Sequence, residues 1–223
     1  MTFAKPINKY IDYIDAPEDT FEQYVEKALR YNFRCVFANL QEYETGRAML
    51  EDSDIILAGA IDFPQGTMTL EEKLARFEEY AARGFTEIDY VLNQESVENR
   101  DFVAIEREMT AVADFCRAHG ITDKVIVEMC SWTATMSPSV ASVRLRWRLS
   151  RDSKTSTGRS YGGAKLEDVR LMHEVLGDAV AIKAAGGIHN YEEACAFIEA
   201  GASALGASAG IAIVEGAPTD ERR

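Results

Sequence analysis

Eight short runs rich in apolar and β-branched residues recur along the chain, most of them separated by longer segments of helical spacing. This alternation is what consecutive βα units of a parallel sheet produce. The runs lie near residues 9–14, 33–37, 55–62, 87–92, 124–128, a poorly formed one just before Lys154, 180–183 and 203–207. Segments 18–31, 70–83, 97–119, 166–176 and 191–200 carry apolar residues at three- and four-residue steps, with acidic residues early. Gly84, Gly120, Gly177 and Gly201 follow several of them, where a left-handed cap forms without a steric penalty. No Pro- or Ser-rich linker interrupts the pattern, so the expected architecture is α/β in one domain over residues 1–223, a closed (β/α)8 TIM barrel. A doubly wound sheet is the alternative. The 223 residues fall somewhat below the roughly 250 typical of such barrels. A barrel carries its site on the loops that follow its strands, and phosphate commonly sits after strands seven and eight.

Two lysines stand at such places. Lys154 opens Lys154-Thr155-Ser156-Thr157-Gly158 and Lys183 opens Lys183-Ala184-Ala185-Gly186-Gly187, 29 residues apart, the length of one βα unit. Adjacent strands bring both amines to one mouth. Two ammonium groups held close repel, and losing one proton leaves a neutral amine able to attack a carbonyl. The glycines and hydroxyl residues behind each lysine let backbone amides approach an anion, and Arg159 adds a cationic donor. Ser208 and the small residues around Gly206 offer a third cradle of the same kind. In the fourth strand, Asp89 between Ile88 and Tyr90 suits an inward carboxylate beside a lysine, whereas Glu87 is placed to cap the strand at its entrance. Each feature also has a plainer reading, a structural ion pair for Asp89 and tight turns for the glycines.

Apolar residues make up 47% and charged residues 27%, as in ordinary globular proteins. The net charge of −13 argues against a nucleic-acid surface. Cys35, Cys116, Cys130 and Cys195 show no close pairing and no metal-ligand interval to the three histidines, which disfavours a structural zinc. Lys5 and Asp12 break up the N-terminal stretch, and no apolar run is long enough to span a bilayer, so no signal or membrane segment is expected and a cytoplasmic setting is.

The pieces occur in an order that resembles the deoxyribose-phosphate aldolase family of (β/α)8 class I aldolases. The likeness rests on Asn8-Lys9-Tyr10-Ile11-Asp12, Cys35-Val36, Asp62-Phe63-Pro64-Gln65-Gly66, the stretches 87–93 and 124–128, and everything from Lys154 to Val214. Gly162-Gly163-Ala164-Lys165-Leu166-Glu167-Asp168-Val169-Arg170-Leu171-Met172 is the most telling string, since no generic barrel requires it. The resemblance implies reversible cleavage of 2-deoxy-D-ribose 5-phosphate to D-glyceraldehyde 3-phosphate and acetaldehyde, with no metal or organic cofactor. It implies Lys154 as the imine-forming lysine, Lys183 as the second lysine that depresses its pKa, and Asp89 as the carboxylate that shuttles protons through water. Gly158, Arg159, Gly186, Gly187, Ser208 and Ala209 match phosphate-loop positions. The expected partners are a small sugar phosphate and acetaldehyde, with no nucleic acid and no membrane, and with self-association into a homo-oligomer left open. Cys35 matches a cysteine near the site in some members, although a cysteine in a strand is more often packing.

The likeness lapses after Glu128-Met129-Cys130 and returns at Lys154. Between Met129 and Arg151 there is no acidic residue, but Arg144, Arg146, Arg148 and Arg151 occur, where the family has an acidic helix followed by a Gly-Ala-Asp strand. A segment read in another frame and divergence into a basic helix over 139–149 are the two accounts. Asp12-Tyr13-Ile14-Asp15 also departs from the family's first strand, and Arg159 replaces a common lysine or aromatic residue. A class I aldolase for another phosphorylated sugar, and an impaired barrel that only binds phosphate, are the competing functions.

Overall fold

The computed structural model describes residues 3–128, 152–158 and 162–219. The basic stretch 129–151 and Arg159 lie outside the described residues. Eight parallel strands close into a barrel in sequence order, the TIM architecture expected from the alternation. They are β1 Ile11–Tyr13, β2 Cys35–Phe37, β3 Ile56–Ile61, β4 Glu87–Val91, β5 Thr122–Ile126, β6 Asp152–Lys154, β7 Ala181–Ala185 and β8 Ala204–Ala207. The helices among the described residues are α1 Phe21–Tyr31, α2 Tyr43–Met49, α3 Leu70–Arg83, α4 Gln94–Glu98, α5 Phe102–His119, α6 Leu166–Leu176, α7 Tyr191–Glu199 and α8 Gly210–Gly216. None of the described helices is long and apolar enough to cross a membrane.

Local chemistry sets the helix ends. Thr69 and Glu72 form a reciprocal capping box at the start of α3, and Gly84 closes it in the left-handed region at φ 111°. Segment 18–31 begins as helix only at Phe21, because Thr20 caps it against Gln23. Segment 97–119 is two helices. Arg100 takes a left-handed φ of 55° and Asp101 accepts a hydrogen bond from the amide of Ala104, which starts a fresh helix at Phe102. The helices α2 and α8 were not expected from spacing, being only seven residues each and too short for a clear period.

Strand pairing fixes which side chains enter the barrel. In register, Asp12 faces Cys35 and Gly206, Asp89 faces Lys124, and Lys154 faces Lys183. Alternation then turns Ile11, Ile88, Val125, Ile182 and Leu205 outward into the apolar layer beneath the helices, where all are buried. The sixth strand, expected to be a poor one, is three residues long yet pairs with both β5 and β7. The fifth begins earlier than residue 124, since Thr122 and Asp123 pair with Glu87 and Ile88.

Candidate active site

The interior of the barrel holds a buried cluster of charge. Oδ2 of Asp89 lies 3.0 Å from the Nζ of both Lys154 and Lys183, and Oδ1 is 2.8 Å from Nζ of Lys124. Lys183 also reaches Asp12 at 2.7 Å. Arg34 bridges Asp12 and Glu87, and Lys124 completes the circuit by pairing with the same two carboxylates. The three lysines and three carboxylates are nearly inaccessible to water. Among the described residues, four cations thus face three carboxylates, so the cluster carries one positive charge too many while every group is ionised. Glu87 does more than cap its strand.

That excess falls on Lys154. Burial and then the neighbouring Lys183 ammonium depress its pKa, against the pull of Asp89, and bring it from 10.5 to about 8. At pH 7 roughly 10% of such an amine is neutral, against a few parts in ten thousand for an ordinary lysine. Of the two causes, removal from water is the larger and the Lys183 ammonium the second. Burial would lower Lys124, yet Asp12, Asp89 and Glu87 outweigh it and hold the group well above its usual range. Burial would likewise raise Asp89, but Lys124, Lys183 and Lys154 keep it well below the usual carboxylate range. The site of Lys154 thus favours loss of its proton, and that of Lys124 opposes it.

Asp89 and Lys154 open onto a cavity of about 720 Å³ at the barrel mouth, whereas Lys183 and Lys124 stand behind them. One wall is apolar, built from Ile14, Pro17, Phe37, Phe63 and Pro64. The opposite wall is Thr157, Gly158, Gly186, Gly206 and Ser208, from the loops after β6, β7 and β8. These loops meet backbone to backbone. A Cβ on Gly186 would stand 2.7 Å from Cα of Gly158 and 3.1 Å from Cα of Gly163, and one on Gly163 would stand 2.5 Å from the Gly186 carbonyl oxygen. Gly158 and Gly186 also take left-handed φ values of 73° and 83°. Glu128 secures this side by accepting hydrogen bonds from the amide and hydroxyl of Thr157, at 3.1 and 2.8 Å.

Of the residues picked from sequence, Lys154, Lys183 and Asp89 converge, and Gly158, Gly186 and Ser208 line the cavity. Gly187 and Ala209 sit beside that lining, and Ala209 is the cap of α8. Asp12, Arg34 and Lys124 were missed as site residues, although a charged residue breaking into an apolar strand run was a usable signal in each case. Asp12, Cys35 and Glu87 bring ligand atoms within 4.8 Å of one another, a spacing that a metal ion would need. Lys124 and Arg34 already neutralise both carboxylates, and burial pushes the Cys35 thiol well up, so the set does not suit a resident cation.

A lysine of lowered pKa inside a closed (β/α)8 barrel, beside a glycine-walled cavity, fits the aldolase class. None of the known protein-family models matches the chain. The deoxyribose-phosphate aldolase of Streptococcus sanguinis is 36% identical over 94% of this chain and 96% of its own length. That of Brevibacillus brevis is 37% identical over 96% and 97%. Among solved structures, the tetrameric deoxyribose phosphate aldolase from Aeropyrum pernix superposes with a TM-score of 0.81 at 25% identity, over 94% of this chain and 89% of that one. The chain belongs to the deoxyribose-phosphate aldolase family.

Proposed function

We propose that this chain cleaves 2-deoxy-D-ribose 5-phosphate reversibly to D-glyceraldehyde 3-phosphate and acetaldehyde through an imine on Lys154. The observation that carries the reading is the single Asp89 oxygen shared by two lysines, at the edge of a cavity whose far wall is a glycine cradle. Neutral Lys154 adds to the C1 carbonyl of the open-chain sugar, and loss of water gives the protonated imine. The C3 hydroxyl then yields its proton, the C2–C3 bond breaks, and its electron pair flows into the imine to leave an enamine. Protonation of the enamine carbon and hydrolysis release acetaldehyde and restore the amine. Asp89 and the ammonium of Lys183 relay the protons, directly or through water. Gly158, Gly186, Gly187, Ser208, Ala209 and, outside the described residues, Arg159 hold the phosphate. One domain suffices, no metal or organic cofactor enters any step, and the likeness to the Aeropyrum tetramer supports self-association. Buried free thiols at Cys35 and Cys116 support a cytoplasmic setting.

Borohydride trapping with acetaldehyde followed by mass mapping tests this function. A reduced adduct on the peptide carrying Lys154 is the expected result, and an adduct elsewhere, or none, refutes it. The cradle makes a separate prediction. Gly186→Ala forces a Cβ to within 2.7 Å of Gly158 and strains a left-handed residue. KM for the phosphorylated sugar is expected to rise roughly tenfold, with a much smaller change for unphosphorylated 2-deoxyribose. Equal effects on the two substrates would show that the cradle does not hold the phosphate.

A further inference from the structure

We propose that Lys73 is a positioning residue of this site, its buried ammonium fixing the loop after β3 that lays Phe63 against the amine of Lys154. The inference rests on Lys154 being the imine-forming lysine. Lys73 belongs to α3 and is wholly inaccessible to water. Its Nζ donates to the Val91 carbonyl at 2.6 Å, pairs with Glu108 of α5, and lies 3.3 Å from Oδ2 of Asp62. One cation thus ties the end of β4, a helix and the first residue of the loop. A buried lysine is costly without such partners, so its place here calls for a reason.

The loop it anchors is held in a conformation that few residues adopt. Asp62 has a left-handed φ of 57°, and its carboxylate accepts hydrogen bonds from the amides of Thr67 and Met68, both at 2.9 Å. Its carbonyl accepts from the amide of Gly66 at 2.8 Å, which closes the turn. An aspartate enters that region more easily than most residues, and here its own carboxylate fixes the turn. The neighbouring loop is stitched to the same clamp, for the amide of Asn93 donates to the second Glu108 oxygen at 3.2 Å and the Gln94 amide donates to the Gly66 carbonyl at 2.8 Å. Phe63 follows Asp62 directly, and its ring centre stands 5.1 Å from Nζ of Lys154.

This placement matters because burial is the first cause of the low Lys154 pKa, and the Phe63 ring is one of the apolar groups over the amine. Among the described residues, the charged groups acting on Lys154 are Asp89 from β4, Lys124 from β5 and Lys183 from β7. None belongs to the loop. Releasing the loop lets water reach the amine, which favours its protonated form more than the lost ring contact disfavours it.

The test is the pH dependence of borohydride trapping at the Lys154 peptide in the wild type, Phe63→Ala, Lys73→Met and the double variant. Both single variants are expected to raise the midpoint by about half a unit to one unit, with no further shift in the double variant, since the two changes remove one arrangement. A midpoint left in place by Lys73→Met while its melting temperature falls would reduce Lys73 to a structural residue. Shifts that add in the double variant would equally overturn the proposal. Should Lys73→Met not fold, Lys73→Met with Glu108→Met replaces the ion pair by apolar groups of similar length, still releases Asp62, and is read against the same outcomes. An adduct that maps away from Lys154 in the wild type counts against the imine assignment. An adduct on Lys154 with an unmoved profile counts against Lys73 alone.

Discussion

Lys154→Ala is expected to abolish the borohydride-trapped adduct and to lower aldol cleavage by at least about 1000-fold, because among the described residues no other amine lines the cavity. Lys183 and Lys124 are buried behind Asp89 and are absent from the lining. The isosteric change Lys154→Met carries a second expectation with the opposite sign. The folded chain binds the Lys154 proton less tightly than the unfolded chain does, since its pKa falls from 10.5 to about 8 on folding. Below pH 8 the ammonium therefore weakens the fold by a constant amount, and the penalty fades as the pH rises from 8 towards 10.5. Removing the charged end should stabilise the protein at pH 7 by on the order of 2 kcal/mol, with a smaller gain at pH 9.5. Thermal denaturation of wild type and variant at the two pH values measures it. A variant that is inactive and also less stable at pH 7 would mean that the amine is not destabilised by its site.

What the sequence could disclose divides along a physical line. Features written in adjacent residues were readable. The helix α3 was expected over 70–83 and α6 over 166–176, and both occur with those limits, because caps and period are local. The two lysines were readable for a similar reason, since each is followed within a few residues by the glycines that its loop needs. How the other charges meet was not, although each one interrupts an apolar run. Asp12, Glu87 and Lys124 meet only because their strands close in one register, and a shift of one residue would turn each to the helical layer, whereas Arg34 reaches Asp12 and Glu87 from just before β2. Buried charges also obscured the strands. Asp123 and Lys124 interrupt the apolar run that marked the fifth strand, so its start was placed two residues late. Lys73 and Glu108 belong to the same class, as charged residues on helix faces that become paired only after α3 and α5 pack.

The second large effect concerns the balance of the cluster. Lys183→Met leaves Arg34, Lys124 and Lys154 against Asp12, Glu87 and Asp89, three cations for three carboxylates. The cluster then no longer gains by losing a proton, and Lys154 holds its own more firmly. The midpoint of the trapping profile should move up by about one unit, and the trapping rate at pH 7 should fall roughly tenfold for that reason alone. Asp89→Asn shifts the balance the other way, leaving four cations against two carboxylates, so the midpoint should fall while turnover drops with the proton relay. Trapping and turnover would then part company in that variant. Rates of borohydride trapping from pH 6 to 10, alongside steady-state cleavage, separate the two cases. Midpoints that moved in the same direction in both variants would exclude charge balance as what frees the amine of Lys154, and would leave burial as the whole cause.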